Sequence, residues 1–263
     1  MPDGFKPAGM EFGPNSISLS QGEAVRDLVR LNAAGAAMTI EIHLLDAMSE
    51  FPAPLGQDIM REVRAANERI ARFIPLDRLD IVVAPDAWVH RDWGITGYPN
   101  GVGRITIGLD PASPRLHDRE RSDRILATLA HEVHHVARLR SGVETYTLGG
   151  RFVSEGLAQC FEEEVGAPTP FYAVALDDET MRKMAERAGP LLSATDYDHD
   201  AWMYGRRDDP EWPTCAGYSL GYALVRAWLA KKAMSAVDAV GVPATDMTDD
   251  WRTGRISLSA PPG

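Results

Sequence analysis

Residues 131–135 read His-Glu-Val-His-His, and Glu155 stands in the segment Ser-Glu-Gly-Leu-Ala, 20 positions after His135. On an α-helix, which turns roughly 100° per residue, His131 and His135 lie about 40° apart and one turn apart, so both imidazoles reach one point. Glu132 lies about 100° around the helix from His131, where it can touch a water molecule but is badly placed as a third ligand. This spacing predicts a zinc site with His131, His135 and Glu155 as ligands and Glu132 as general base.

The flanking residues predict a helix over 122–140, which no Pro or Gly interrupts and which Gly142 would end. Its apolar residues cluster within roughly 50° of a direction about 170° from His131. They are Ile125, Leu126, Leu129, Val133 and Val136. We therefore expect this helix to bury its apolar face and to direct the two histidines toward a cleft.

His134 offers a second pairing, because it lies three residues after His131 and about 60° around the helix from it. Only His135 leaves Glu132 in the position that a general base needs. We therefore assign His135 to the metal and expect His134 to be partly exposed or to support a ligand.

A second helix is predicted after Gly149 and Gly150, from apolar residues at mostly helical spacing. They are Phe152, Val153, Leu157, Cys160, Phe161 and Val165. Glu155 falls in its first turns, where the helix macrodipole also favours a glutamate without any metal. Farther along, Glu162 and the two glutamates after it are typical of a solvated face, and Gln159 is a candidate partner for a ligand.

The two metal segments, together with Gly-Tyr-Ser-Leu-Gly-Tyr at 217–222, resemble the bacterial family of predicted zinc-dependent proteases with a YjaZ-type domain of unknown function. The similarity runs over roughly residues 80 to 230. The family belongs with the gluzincins, the thermolysin-like metallopeptidases whose third ligand is a glutamate from a following helix. The resemblance therefore implies a Zn²⁺ cofactor and a zincin-like fold, but it implies no particular substrate.

Gluzincins usually stabilise the oxyanion with a tyrosine or histidine from the C-terminal half of the chain, so the resemblance implies such a donor here. The candidates are Tyr146, His199, Tyr218 and Tyr222. Tyr218 is preferred because it stands between two glycines at the start of an apolar helix, where its ring could lean into the cleft. The alternative is a core tyrosine with a hydrogen-bonded hydroxyl.

Composition favours an ordinary soluble enzyme, with 263 residues, 44% apolar and 25% charged. The net charge of −11 argues against nucleic acid or an anionic membrane as a partner. The chain lacks both an apolar run near the roughly 20 residues of a membrane span and a signal-like N-terminus. With only two cysteines, expected to be free thiols, we predict a cytoplasmic protein. The resemblance to zinc-dependent proteases implies a peptide or protein substrate.

The predicted fold class is α+β, in four parts. Residues 1–20 are expected to be flexible, and residues 21–141 to form an N-terminal α/β lobe that carries the motif helix. Residues 142–241 are expected to form a mainly helical C-terminal lobe with the third ligand, and residues 242–263 a flexible tail.

Periodicity also predicts the individual elements. In the N-terminal lobe they are helices near 25–31 and at 57–73, and strands at 39–45, 80–84 and 104–109; in the C-terminal lobe they are helices near 170–187 and 217–236. By analogy with zincins, residues 103–109 are the candidate edge strand that pairs with an extended peptide. Residues 93–98 are predicted to form a turn at the rim of the cleft.

Three classes of function follow from these features. The first is a zinc metallopeptidase that hydrolyses peptide bonds with a metal-activated water and Glu132 as general base. The second is a catalytically idle zinc-binding protein that acts through partner binding. The third is a di-iron carboxylate bundle, because residues 132–135 also spell Glu-x-x-His; such bundles need two copies of this motif, and we find one.

Overall fold

One mixed sheet organises the first part of the described chain. The structure is a computed structural model, and it describes residues 40–87, 89, 93–143 and 145–258. Four strands occur in these residues: β1 (Ile40–Leu44), β2 (Leu79–Pro85), β3 (Ile95–Pro99) and β4 (Arg104–Leu109). Their spatial order is β1-β2-β4-β3, with β1, β2 and β4 parallel and β3 antiparallel to β4. The predicted segment 1–20 and the predicted helix at 25–31 lie outside the described residues.

Seven α-helices accompany the sheet in the described part of the chain. They are α1 (Ala53–Ile70), α2 (Arg121–Arg140), α3 (Leu148–Glu164), α4 (Asp178–Ala188), α5 (His199–Met203), α6 (Ala216–Lys232) and α7 (Ala244–Arg252). Short 3-10 turns occur at Pro114–Leu116, Phe171–Val174 and Gly189–Leu191. This mixture of helices and one sheet confirms the predicted α+β class.

The sheet and α1 bury a shared apolar layer. In β2 the residues Leu79, Ile81 and Val83 are buried and alternate with more exposed ones, as expected for a strand with one face in the core. The matching residues of β4 and the buried face of α1 belong to the same core cluster. Helix α1 begins earlier than predicted because Pro54 stands in its first turn, where proline is well tolerated.

Helix α2 packs between the sheet with α1 on one side and α3 on the other. The five residues of its predicted apolar stripe are all buried, so that prediction is confirmed. Arg121, in its first turn, donates two hydrogen bonds to the carboxylate of Glu62 on α1, at 2.9 and 2.7 Å. The helix ends at Arg140, and Gly142 follows with a φ of +77°, as the predicted stop requires.

Helices α3 and α6 touch backbone to backbone. A Cβ added at Gly156 of α3 would lie 2.1 Å from the carbonyl oxygen of Gly221 of α6, and one added at Gly221 would lie 2.2 Å from the carbonyl oxygen of Phe152. Only glycine permits this approach. The crossing makes α3 a central helix, buried along nearly its whole length between α2 and α6.

Several predicted bounds are corrected in the second half of the chain. Instead of one helix near 170–187, the chain forms a 3-10 turn and then α4, because the Asp177 side chain accepts a hydrogen bond from the Thr180 N–H and caps a new helix start. Helix α6 ends at Lys232 because Ala233 adopts a positive φ of 52°. The division into lobes at residue 141 stays a prediction.

The predicted flexible tail is wrong for residues 244–252, which form α7. Met247 is fully buried, and the largely buried Asp250 pairs with Arg255 at 3.0 Å. The sequence shows little apolar periodicity here, and α7 is held by its contacts with α3 and α6.

Cys160 and Cys215 are free, as expected. No described helix combines the length and the apolar character that crossing a membrane requires.

The predicted edge strand is also wrong. Strand β4, which covers the predicted 103–109 segment, lies inside the sheet between β2 and β3. One edge of the described sheet is β1, and the opposite edge, next to β4, is β3, in the stretch predicted to be a turn. Its sequence, Ile-Thr-Gly-Tyr-Pro, is atypical of a strand, but pairing with β4 satisfies one side of it and proline is tolerated at a sheet edge.

Candidate metal centre

Helices α2 and α3 bring the three predicted ligands together. One donor atom from each of His131, His135 and Glu155 lies within 4.8 Å of the other two. The Oε2 atom of Glu155 is 3.1 Å from Nε2 of His131 and 3.5 Å from Nε2 of His135. This group could hold a metal ion.

The other ring nitrogens are occupied by the protein. Nδ1 of His131 lies 2.7 Å from Oε1 of Glu162, and Nδ1 of His135 lies 3.3 Å from Oγ of Ser154. Because a carboxylate accepts, Nδ1 of His131 donates to Glu162. Its Nε2 faces Oε2 of Glu155, so without a metal this nitrogen also carries a proton and donates, whereas a metal ion would take the place of that proton. The donor set of two imidazoles and a carboxylate fits zinc.

Electrostatics also favours a cation at this point. Burial alone lowers the pKa of His131, but its hydrogen bonds with Glu155 and Glu162 raise that pKa well above its usual value. Burial opposes ionisation of Glu155, yet His135 and His131 hold its pKa well below the usual range. In the described part of the chain no lysine or arginine pairs with either carboxylate. A divalent ion would offset these buried charges.

Glu132 lies beside the ligand group without joining it. Its side chain is buried, its Oε2 has no hydrogen-bond partner among the described residues, and burial raises its pKa. It packs against β3, where a Cβ added at Gly97 would lie 2.7 Å from Cγ of Glu132. The arrangement therefore offers a free proton acceptor between the edge strand and the ligands.

His134 was expected to be partly exposed or to support a ligand. It is not exposed, and no hydrogen bond joins it to a candidate ligand in the described residues. It is fully buried, and its Nε2 faces the carbonyl oxygen of Ala236 at 3.2 Å. Burial lowers the pKa of His134 to about 3, so the ring is neutral. Gln159 also misses the ligands, because its side-chain N–H donates to the carbonyl oxygen of Tyr218 at 3.3 Å.

Glu162 corrects the prediction of a solvated face. It is fully buried, and its Oε1 accepts from Nδ1 of His131 and from the hydroxyl of Tyr172, which lies 3.1 Å away. Periodicity could have identified Glu162, because seven residues after Glu155 bring it back to within about 20° of the same helix face. Tyr172 has no comparable sequence signal, since its contact depends on how the Phe171–Val174 turn folds back.

Two of the candidate oxyanion donors lie near the ligands. Burial, and then the charge of Glu155, raise the pKa of Tyr218 well above its usual value, and the ring of Tyr218 lies 5.2 Å from that of Tyr172 between centroids. Burial lowers the pKa of His199, on which the charge of Glu155 also acts. The structure therefore leaves Tyr218 and His199 in the vicinity of the centre.

The other two candidates are less well placed. The buried hydroxyl of Tyr222 donates to Oε1 of Glu163 at 2.8 Å and is thereby engaged away from the ligands. Tyr146 is 64% exposed, in the connection between α2 and α3. Neither contacts His131, His135 or Glu155 in the described structure.

Comparison with known proteins gives one match. A family model described as Predicted Zn-dependent protease (DUF2268) matches residues 79–249, a range that runs from β2 into α7 and includes both metal segments. No curated protein and no solved structure matches the chain.

Proposed function

The chain belongs to the family of predicted Zn-dependent proteases, and from this premise we propose that it is a zinc metallopeptidase that hydrolyses peptide bonds. The observation that carries the proposal is the convergence of His131, His135 and Glu155 beside a carboxylate oxygen of Glu132 that no described residue hydrogen-bonds. We further assign it to the gluzincin type, because the third candidate ligand is a glutamate from the following helix.

The three converging side chains, His131, His135 and Glu155, would hold the zinc ion in this proposal. Zinc bound there would act as a Lewis acid and would lower the pKa of a water molecule toward about 7. Glu162 and Ser154, at the far sides of the two imidazoles, orient the rings so that both Nε2 atoms face Glu155.

Glu132 acts as general base and then as general acid. It accepts a proton from the attacking water and returns it to the leaving amine. Burial raises the pKa of Glu132, which suits a carboxylate that must both take up and release a proton near neutral pH. Its position next to the ligands supports this role, since no group in the described part of the chain competes for a hydrogen bond to Oε2.

Strand β3 is the surface on which we place the substrate backbone. It is an edge of the sheet, and among the described residues no strand pairs with its outer side, where an extended peptide could pair. Because Gly97 in this strand contacts Glu132, a peptide paired there would run past the general base. This assignment replaces the interior segment 103–109.

Tyr218 is the proposed oxyanion donor. Its raised pKa keeps the hydroxyl protonated at neutral pH, so that it can donate a hydrogen bond to developing negative charge. His199 is the alternative donor. Replacing the donor is expected to lower kcat/KM without releasing zinc.

The substitution Glu132→Gln tests the proposal. We expect the variant to bind about one zinc per chain, like the wild type, and to lose about 10²–10⁴-fold of a chelator-sensitive cleavage found in a peptide-library screen. Glu163→Gln is the control, since Glu163 lies on the same helix as a ligand but pairs with Tyr222. Unchanged cleavage by the Glu132 variant would remove Glu132 from its role, and a zinc-loaded wild type that cleaves nothing would favour the idle zinc-binding alternative.

A further inference from the structure

Glu162 is a fully buried carboxylate in a helix whose next two residues are also glutamates. Burying a carboxylate is unfavourable unless hydrogen bonds or a cation compensate for the lost hydration. Its Oε1 is the acceptor for both of its hydrogen bonds, and its Oε2 has no partner among the described residues. The free-energy cost of burying Glu162 must therefore be offset by its hydrogen bonds or by a nearby cation.

The two donors to Glu162 constrain His131. Nδ1 of His131 and the Tyr172 hydroxyl converge on the same oxygen, at 2.7 and 3.1 Å. The ring centroids of His131 and Tyr172 are 6.4 Å apart, in an edge-to-face arrangement. With Nδ1 committed to Glu162, only Nε2 of His131 is free to present a lone pair to a metal.

Tyr172 is in turn held by helix α6. The Ser219 hydroxyl donates to the carbonyl oxygen of Tyr172 at 3.0 Å and accepts from the N–H of Ala175 at 3.1 Å. Ser219 is fully buried and belongs to the Gly-Tyr-Ser-Leu-Gly-Tyr segment. This serine therefore anchors the 3-10 turn that presents Tyr172 to Glu162.

We propose that Glu162 and Tyr172 are positioning residues that hold His131 in the tautomer and orientation needed for zinc, and that Ser219 keeps Tyr172 in place. The inference rests on the proposed zinc centre, and it adds that zinc affinity depends on how the turn docks on α6. None of these residues touches the metal or the substrate in this assignment.

The chain contains a matched pair for the test. The Tyr222 hydroxyl donates to Oε1 of Glu163 at 2.8 Å, so two neighbouring glutamates of α3 each accept from one tyrosine. Only the Glu162 pair contacts a ligand. Tyr172→Phe and Tyr222→Phe thus remove the same atom from equivalent hydrogen bonds, and Glu162→Gln and Glu163→Gln remove the same charge.

The measurement is the zinc dissociation constant of the full chain, determined by competition with a chromophoric chelator, which needs no peptide substrate. We expect Glu162→Gln to weaken zinc binding by about 10–100-fold and Tyr172→Phe by about tenfold, the range found for partners of metal-ligating histidines. Ser219→Ala is expected to weaken zinc binding in the same direction. Tyr222→Phe and Glu163→Gln are expected to match the wild type.

A second readout separates positioning from general destabilisation. In the zinc-bound protein, the ¹⁵N shifts of the His131 ring report which nitrogen binds the metal and which carries the proton. We expect Tyr172→Phe and Glu162→Gln to weaken the Nδ1–H signal, whereas Tyr222→Phe does not. The proposal is overturned if both pairs weaken zinc equally, or if neither Tyr172→Phe nor Glu162→Gln changes affinity and tautomer. A wild type that binds zinc but cleaves no peptide refutes the proposed function and leaves this test intact.

Discussion

At the scale of single residues, the candidate metal centre is a largely buried group of two imidazoles and two carboxylates whose polar atoms face one another. The Nε2 atoms of His131 and His135 point at the same oxygen of Glu155, and Glu162 lies behind His131. Removing one of these side chains takes away a candidate ligand. The two imidazoles and two carboxylates together favour a bound cation more than any one of their contacts would alone.

Loss of a ligand should release the metal. We expect His131→Ala and Glu155→Ala to bind far less than one zinc per chain, because only two protein ligands remain. Metal analysis of the purified variants measures this. His43→Ala is the control, since His43 is exposed on β1 and pairs with Asp80. Full zinc in either ligand variant would contradict the assignment.

At the scale of elements, the crossing of α3 and α6 determines where Glu155 can lie. Gly156 follows Glu155 directly, and its backbone touches the carbonyl of Gly221. Any side chain here would push α3 away from α6 or rotate it, and either movement would shift the ligand. The same helix pair carries Glu162 and the serine that anchors Tyr172, so the crossing supports both sides of His131.

Gly156→Ala should destabilise the protein although alanine is the better helix former. Helix propensity alone predicts a gain of about 1 kcal/mol, but a Cβ that meets rigid backbone is expected to reverse the sign and lower the free energy of unfolding by roughly 1–3 kcal/mol. Chemical denaturation measures the change. Gly189→Ala is the control because a Cβ there meets nothing within 4 Å; a stabilised Gly156 variant would contradict the crossing.

At the scale of the whole molecule, the C-terminal helix α7 belongs to the core of the described chain. Met247 is fully buried in the main apolar cluster, and Asp250 pairs with Lys231 of α6 at 3.5 Å. Helix α7 therefore packs against α3, which carries the third candidate ligand, and against α6, which carries the proposed oxyanion donor.

Met247→Ala should lower the free energy of unfolding by about 2–5 kcal/mol, through lost burial and the cavity left behind. Met48→Ala is the control, since Met48 is 82% exposed and should change stability by less than about 0.5 kcal/mol. Thermal and chemical unfolding of both variants gives the comparison. Equal stability of the two variants would mean that α7 does not pack as described.

Metal removal should also lower the stability of the whole folded molecule. The candidate ligands come from α2, which packs on the sheet, and from α3, which packs on α6, so bound zinc would join the two layers. At a free zinc concentration of 1,000 times the dissociation constant, binding contributes about 4 kcal/mol to stability. We expect a chelator to lower the unfolding midpoint of the wild type but not of Glu155→Ala; no shift in the wild type would argue against a zinc that binds the folded state.

The sequence by itself determined the features that depend on local periodicity. The spacing of His131 and His135 and the apolar stripe of α2 follow from the turn of one helix, so both could be predicted from neighbouring residues. The convergence of Glu155 on the histidines was also anticipated, because the following helix has its own apolar pattern and Glu155 takes a definite place on it. The seven-residue interval from Glu155 to Glu162 is also visible in the sequence, but three consecutive glutamates led to the prediction of a solvent-exposed helix face.

Only the tertiary structure decided which strands are the edges of the sheet, that Glu162 is buried and that the C-terminal segment forms a helix. Strand β3 exists because β4 pairs with it, and α7 is helical against α3 and α6. Tyr172 reaches Glu162 because a serine 47 residues later holds its turn. These outcomes depend on contacts between residues far apart in the chain, and such contacts leave no period in the sequence of either partner.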